Sequence, residues 1–238
     1  MLKLENVSFL VDEDNLSKTI LDNISLTFED NKITVITGAN GGGKSSLIKV
    51  IMGINKASNG KIFLDGKDIT DLSITDRANL GLTMAFQQPV RFKGLTVKNL
   101  LDEASKKNNK IVDACEYLSQ VGLCAKNYLN RQLDSTLSGG ELKRIEIAMA
   151  LAKGGKVLLF DEPEAGIDLW SFENLIKIFK NIKNATVIIV SHQKKILEMA
   201  DNIVLINKNS TPIYGTKDEM LEKLNTPNCY KLGEEDGQ

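Results

Sequence analysis

What the chain has little of narrows the field first. Its 238 residues hold no long apolar stretch; the longest runs reach five or six residues, far short of the roughly 20 a membrane-crossing helix needs. The start, MLKLENVSFL, lacks a basic segment followed by a sustained apolar core. No signal peptide is therefore expected, and the chain reads as cytoplasmic. An excess of one charge is missing too. Lys plus Arg number 30 and Asp plus Glu 31, a net −1, which gives no electrostatic ground for a nucleic-acid partner. Cysteine is scarce and odd in number. Cys115, Cys124 and Cys229 form no C-x-x-C pair and read as reduced, partly buried thiols. The one histidine, His192, is far from all three in sequence, which argues against a Cys/His metal site. Hydrophobic content of 42% beside 26% charged residues fits a soluble globular chain, either one large domain or a domain with a small subdomain.

What is there is a glycine cluster with a lysine at its end. Gly38-Ala39-Asn40-Gly41-Gly42-Gly43-Lys44-Ser45, followed by Ser46, fits the phosphate-loop pattern G-x-x-x-x-G-K-[ST]. The pattern requires a strand before it and a helix after it. Lys32 to Thr37 reads as a buried strand, and Leu47 to Met52 as a buried helix stopped by Gly53. Such a loop wraps a phosphate with inward N–H groups at a helix N-terminus. Lys44 is expected to contact β- and γ-phosphates and Ser45 to ligate Mg²⁺. Downstream, Val157 to Phe160 is an apolar run ending directly in Asp161 and Glu162. The carboxyl edge of a parallel sheet is where ligands bind. There Asp161 would hold Mg²⁺ and Glu162 would polarise a water.

The rest of the chain supplies a coarse map. Leu2 to Phe9, Thr19 to Glu29 and Lys61 to Leu64 read as strands, with a polar turn at Asp12 to Asn15 and a tight turn at Asp65-Gly66. They suggest an antiparallel layer beside an α/β core. Thr96 to about Leu123 reads as helical, with stripes Leu100, Leu101, Ala104 and Ile111, Ala114, Cys115, Leu118, Val121; Lys106 to Lys110 is a solvated loop between them. Gly140 opens a helix with a stripe at Leu142, Ile145, Ala148, Met149 and Ala152. Thr186 to Val190 and Ile203 to Ile206 read as further strands, Ser171 to Asn181 and Lys217 to Leu224 as helices. Residues 1–225 form one domain in this map, with a helical subdomain at about 90–152 and a flexible tail at 226–238.

Leu137-Ser138-Gly139-Gly140-Glu141 adds a second helix-start anion site, and Ser138 precedes Asp161 by 23 residues. With this the chain resembles the nucleotide-binding domain of ABC ATPases, whose signature is LSGGQ or LSGGE. The resemblance implies a P-loop core with antiparallel β and helical subdomains. It implies ATP and Mg²⁺ as ligands and an ATP-dependent head-to-tail homodimer, in which Ser138, Gly139 and Gly140 close on the γ-phosphate held by the other subunit. Matched residue by residue, Gln87 resembles the glutamine that contacts Mg²⁺ and water, Asp168 the D-loop aspartate and His192 the γ-phosphate switch. Phe9 is matched to the aromatic that stacks on adenine, beside an ordinary core role.

Within the family, Met84 to Val90 (MAFQQPV), Gly139 to Arg144 (GGELKR) and Ser191 to Leu197 (SHQKKIL) resemble SufC, the ATPase of iron–sulfur cluster assembly. That resemblance implies a soluble SufB-like or SufD-like scaffold as partner, docked near Gln87. The chain departs from it in Pro163 after Glu162, in Ser45-Ser46, and in a short segment between Pro89 and Leu137. The alternative is the ATP-binding subunit of a membrane transporter, partnered by a separate permease.

Overall fold

A computed structural model describes residues 1–13, 16–106, 114–134, 136–208 and 210–225. The N-terminal part is a hairpin. Leu2–Glu13 (β1) pairs antiparallel with Leu16–Phe28 (β2). Both strands run further than their alternation suggests. Asp12 pairs with Ser17 and Glu13 with Leu16, so the acidic residues extend the ladder instead of forming the turn expected of them; Asp14 and Asn15 lie outside the described residues. After Ile33–Thr37 (β3) and Lys44–Met52 (α1), the chain returns to the hairpin with Asn59–Leu64 (β4) and Lys67–Asp68 (β5), turning at Asp65-Gly66. The resulting sheet has the order β2-β1-β4-β5.

The short helix Ile74–Asn79 (α2) carries a residue that secures α1. Arg77, 2% exposed, donates from Nη1 to the carbonyls of Val50 and Ile51 at 2.8 and 2.7 Å. These are among the last carbonyls of α1, which have no partner within the helix.

The central sheet follows from the apolar runs. Leu82–Ala85 (β6), Val157–Asp161 (β9), Thr186–Val190 (β10) and Asn202–Leu205 (β11) join β3, with Ile213–Thr216 (β12) as an antiparallel edge, in the order β12-β11-β3-β10-β9-β6. β6, β9, β10, β3 and β11 are parallel. Every residue of β9 and β10 is buried, as a sheet covered on both faces requires. Alternation sorts each strand between two cores. Leu158 and Phe160 join one core, with Ile145 and Phe179; Val157 and Leu159 join the other, with Leu47, Ile51 and the antiparallel sheet.

The first of these cores is covered by helices. Phe92–Thr96 (β7) leads into Val97–Ser105 (α3), which starts at a capping box of Thr96 and Asn99. Ala114–Gln120 (α4), Ala125–Tyr128 (α5) and Gln132–Leu133 (β8, paired with β7) follow. Gly139–Lys153 (α6) buries Leu142, Ile145, Ala148 and Ala152. In α4 the stripe holds at Leu118 but not at Cys115, which is exposed, as is Cys124; the expectation of partly buried thiols is corrected for these two. Ile111, Lys107 to Lys110 and the tail fall outside the described residues. Leu169–Asn181 (α7), Lys194–Met199 (α8) and Lys217–Asn225 (α9) complete the described elements. Among the described residues no helix is long and apolar enough to cross a membrane.

Candidate active site

Strand register sets the site. Asp161 is level with Val190, and Val190 with Ile36. The carboxyl ends of β9, β10 and β3 therefore release Asp161-Glu162, Ser191-His192 and the phosphate loop at one sheet edge. Gln87 arrives from β6, two residues beyond its end. The loop turns so tightly against β11 that a Cβ on Gly38, φ 132°, would stand 1.9 Å from the Ile206 carbonyl oxygen; only glycine fits there. Asn207 fixes the same turn by accepting from the Ala39 N–H at 3.2 Å.

The charged groups are held by short contacts. Lys44 is 6% exposed, and its ammonium donates to the carbonyls of Gly38 and Ala39 at 2.9 and 2.8 Å. Burial pushes its pKa below the usual lysine value, against the opposing charges of Glu162 and Asp161. Ser45 Oγ donates to Asp161 Oδ1 at 2.8 Å. Asp161 is fully buried, its Oδ2 has no hydrogen-bond partner among the described residues, and burial raises its pKa. A hydroxyl and an unsatisfied carboxylate oxygen side by side form a hard-oxygen donor set, which suits Mg²⁺. Glu162 adopts φ 44°, a left-handed conformation that costs a non-glycine residue energy and recurs at functional sites. Gln87 Nε2 donates to Glu162 Oε2 at 2.8 Å, which joins the two expected water-handling groups. His192 is exposed at the rim. Partial burial and then Lys44 push its pKa below the ordinary histidine value, with Glu162 opposing.

The structure brings Asn40, Gly41, Gly43, Lys44, Ser45, Ser46, Gln87 and Glu162 around one cavity of about 580 Å³, together with Lys18, Ile20 and Lys208. Phe9 is not among its lining residues. It is half-buried and packs, as Ile20 does, against the core of Val7 and Leu21; among the described residues Ile20 is the apolar side chain that lines the cavity.

Ser138, Gly139 and Gly140 lie elsewhere, at the N-terminus of α6, where Ser138 is exposed and caps the helix in a capping box with Glu141. Asp168 sits against this helix start. A Cβ on Gly140 would meet the Gly166 carbonyl oxygen at 2.6 Å, and Asp168 accepts from Ser171 N and Oγ at 3.0 and 2.7 Å, as a helix cap does.

Two buried pairs carry no expectation from the sequence. Lys143, 1% exposed, donates from Nζ to the carbonyls of Phe86, Gln87 (3.2 Å) and Asp161 (3.2 Å), and faces Glu146 Oε2 at 3.6 Å. Glu146 in turn accepts from the Phe86 N–H at 2.7 Å. Helix α6 thus grips the segment leading into Gln87 by both its N–H and its C=O. The second pair is Ser191, whose Oγ donates to Glu164, linking the segment after Glu162 to the one before His192. The i, i+3 spacing of Lys143 and Glu146 was the only signal available, and it reads equally as a solvated helix pair.

Comparison with known proteins agrees with this geometry. The family described as "ABC transporter" matches residues 21–165, and a second, described as "AAA domain, putative AbiEii toxin, Type IV TA system", matches residues 135–198. The chain is 39% identical to an uncharacterized ABC transporter ATP-binding protein of Methanocaldococcus jannaschii, over 90% of this chain and 91% of that one. It is 30% identical to a probable ATP-dependent transporter, ycf16, of Cyanidium caldarium, over 83% and 82% of the two chains. Among solved structures, a dimeric ATP-binding cassette bound to ADP and Pi superposes with a TM-score of 0.83 over 91% of this chain and 99% of that one, at 23% identity. That likeness concerns the fold.

Proposed function

The chain belongs to the ATP-binding cassette (ABC) family and is an ATPase; from that premise we propose that it is the ATP-binding subunit of a membrane transporter, closing on nucleotide as a head-to-tail pair and driving a separate permease. The observation that carries the pairing is a separation within one chain. The cavity around Lys44, Ser45, Gln87 and Glu162 is not lined by Ser138, although both loops are built to meet a phosphate. A second copy turned head to tail supplies Ser138 to the first copy's nucleotide. In this reading Lys44 and the loop N–H groups hold the phosphates, and Ser45, Asp161 and Gln87 hold Mg²⁺. When bound, the ion neutralises phosphate charge and orients the terminal phosphate. Glu162, held by Gln87, orients the attacking water, and His192 senses the γ-phosphate.

The names of both relatives favour a transporter over an assembly factor. The permease contact is expected where Val90, Phe92 and Leu95 are exposed, beside an apolar cleft lined by Met84, Phe86, Pro89, Phe92 and Leu142. That surface adjoins Gln87, so a partner gripping it feels the state of the nucleotide. The second reading, a SufC-like ATPase on a SufB-like or SufD-like scaffold, is favoured by the run Met84 to Val90. Affinity purification from detergent-solubilised native cells with mass spectrometry separates them. Recovery of a multi-spanning permease supports transport; recovery of a soluble SufB-like or SufD-like protein instead contradicts it. With either partner, Phe92→Asp is expected to weaken the complex and to leave ATP binding by the isolated chain intact.

A further inference from the structure

The fifth residue of the signature loop is a carboxylate. Glu141 Oε2 accepts from the Ser138 N–H at 2.7 Å, and Ser138 Oγ accepts from the Glu141 N–H at 3.2 Å. This reciprocal box determines what the loop offers a phosphate. The Ser138 N–H is already bonded. Its hydroxyl oxygen is used as an acceptor, which leaves the O–H proton to donate outward. The donors for an incoming anion are therefore the Ser138 hydroxyl and the first N–H groups of α6. A negative charge on Glu141 would repel that anion unless it is engaged by other groups.

Two side chains outside every motif engage it. Tyr128, at the end of α5, donates its hydroxyl to Glu141 Oε1. Arg131 stands 3.6 Å from the same oxygen and lies over the Tyr128 ring, 5.3 Å from its centroid. Arg131 also donates from Nη2 to the Thr136 carbonyl at 2.9 Å, two residues before Ser138. The brace is fixed to α3, because the N–H groups of Val97 and Lys98 donate to the carbonyls of Arg131 and Leu129 at 3.0 and 2.9 Å. The Tyr128 hydrogen bond, then the Ser138 N–H, hold the Glu141 pKa at about 2, so the brace is ionised across the working range.

We infer that Tyr128 and Arg131 are positioning residues for the known reaction: by holding Glu141 in the capping box they aim the Ser138 hydroxyl at the nucleotide of a second chain. The inference rests on the head-to-tail reading. It predicts a defect in nucleotide-driven closure with no defect in nucleotide binding by one chain. The test uses the full chain carrying Glu162→Gln, titrated with Mg-ATP and followed by analytical ultracentrifugation. Adding Tyr128→Phe, which keeps the ring and removes the hydroxyl, is expected to raise the ATP needed for half-dimerisation about tenfold or more, the scale of a hydrogen bond to a charged group. ATP affinity at chain concentrations too dilute to dimerise should stay within about twofold. Arg131→Met should act in the same direction and provides an independent route if Tyr128→Phe misfolds. Dimerisation by both variants at the parent's ATP concentration overturns the inference. So does a matching loss of single-chain affinity, which marks a general structural role. A Glu162→Gln parent that never dimerises with ATP defeats the head-to-tail reading itself, and the inference with it.

Discussion

The phosphate loop stands at the end of a strand buried on both faces, whereas the signature loop begins a helix whose first residues face solvent. Around the first, buried groups are held by backbone: Lys44 by two carbonyls, Asp161 by strand register. Around the second, side chains hold side chains: Tyr128 and Arg131 hold Glu141, and Glu141 holds Ser138. The difference is the one that the proposed head-to-tail pairing requires. A site that keeps its own nucleotide is stabilised by the core and stays put. A site that meets another chain's nucleotide must be exposed when alone, so its geometry is set locally. Lys143 and Glu146 join the two, because α6 is capped by Ser138 and within its next two turns grips Phe86 and Gln87.

The largest expected effect lies in the buried half. Glu162→Gln should retain ATP binding and lower turnover by about 10²–10⁴-fold, the usual scale for a group that activates or positions the nucleophile. Steady-state ATPase assays and nucleotide titration of the purified variant check it; full activity would remove Glu162 from the role.

Next is the joint between the halves. Lys143→Met leaves Glu146 buried without its cation and should destabilise the chain by about 3–5 kcal/mol. Replacing both, as Lys143→Met with Glu146→Leu, should restore much of that stability while the Gln87 segment stays loosened and turnover stays low. Denaturant unfolding of the single and double variants decides this. A single variant within about 1 kcal/mol of the parent would mean that the pair is solvated in practice.

A pH effect comes third. His192 has its pKa pushed below the ordinary histidine value by partial burial and then by Lys44, so its neutral form is favoured. Its contribution to native stability is present above the unfolded-state value and is lost as pH falls through the lower folded value. The ATPase profile should therefore lose activity on the acid side of the ordinary histidine value, and His192→Gln, which cannot titrate, should flatten that limb. An unchanged acid limb in the variant would assign it to another group.

The smallest effects concern the base. Ile20→Ala should weaken ATP binding by about 1 kcal/mol, the scale of one buried methylene group. Phe9→Leu should cost less than Ile20→Ala, since Ile20 lines the cavity and Phe9 does not. The opposite ranking would support Phe9 in the stacking role.

These contrasts also mark what was legible in the sequence. The phosphate loop, the strand ending in Asp161, the helix opened by Gly140 and the buried runs of β9 and β10 are local patterns, and local patterns survive without knowledge of neighbours. Phe9 was ambiguous because a strand residue flanked by register shifts shows its face only once the strand is placed. Asp12 and Glu13 read as a turn because acidic residues are common in turns, yet β2 offered them a ladder. Helices α2 and α8, six residues each, are too short for a period to declare itself. Lys143 with Phe86, and Tyr128 with Glu141, are contacts between separate segments, which no spacing along the chain announces.

The shared site is tested by mixing two inactive chains. Lys44→Ala removes the phosphate lysine, and Ser138→Arg blocks the signature loop. In a head-to-tail mixed dimer one composite site carries both defects and the other carries neither, so mixtures should recover ATPase activity that neither variant has alone, with a maximum near equal proportions. Activity that never rises above the two separate variants at any ratio would contradict a site built from two chains.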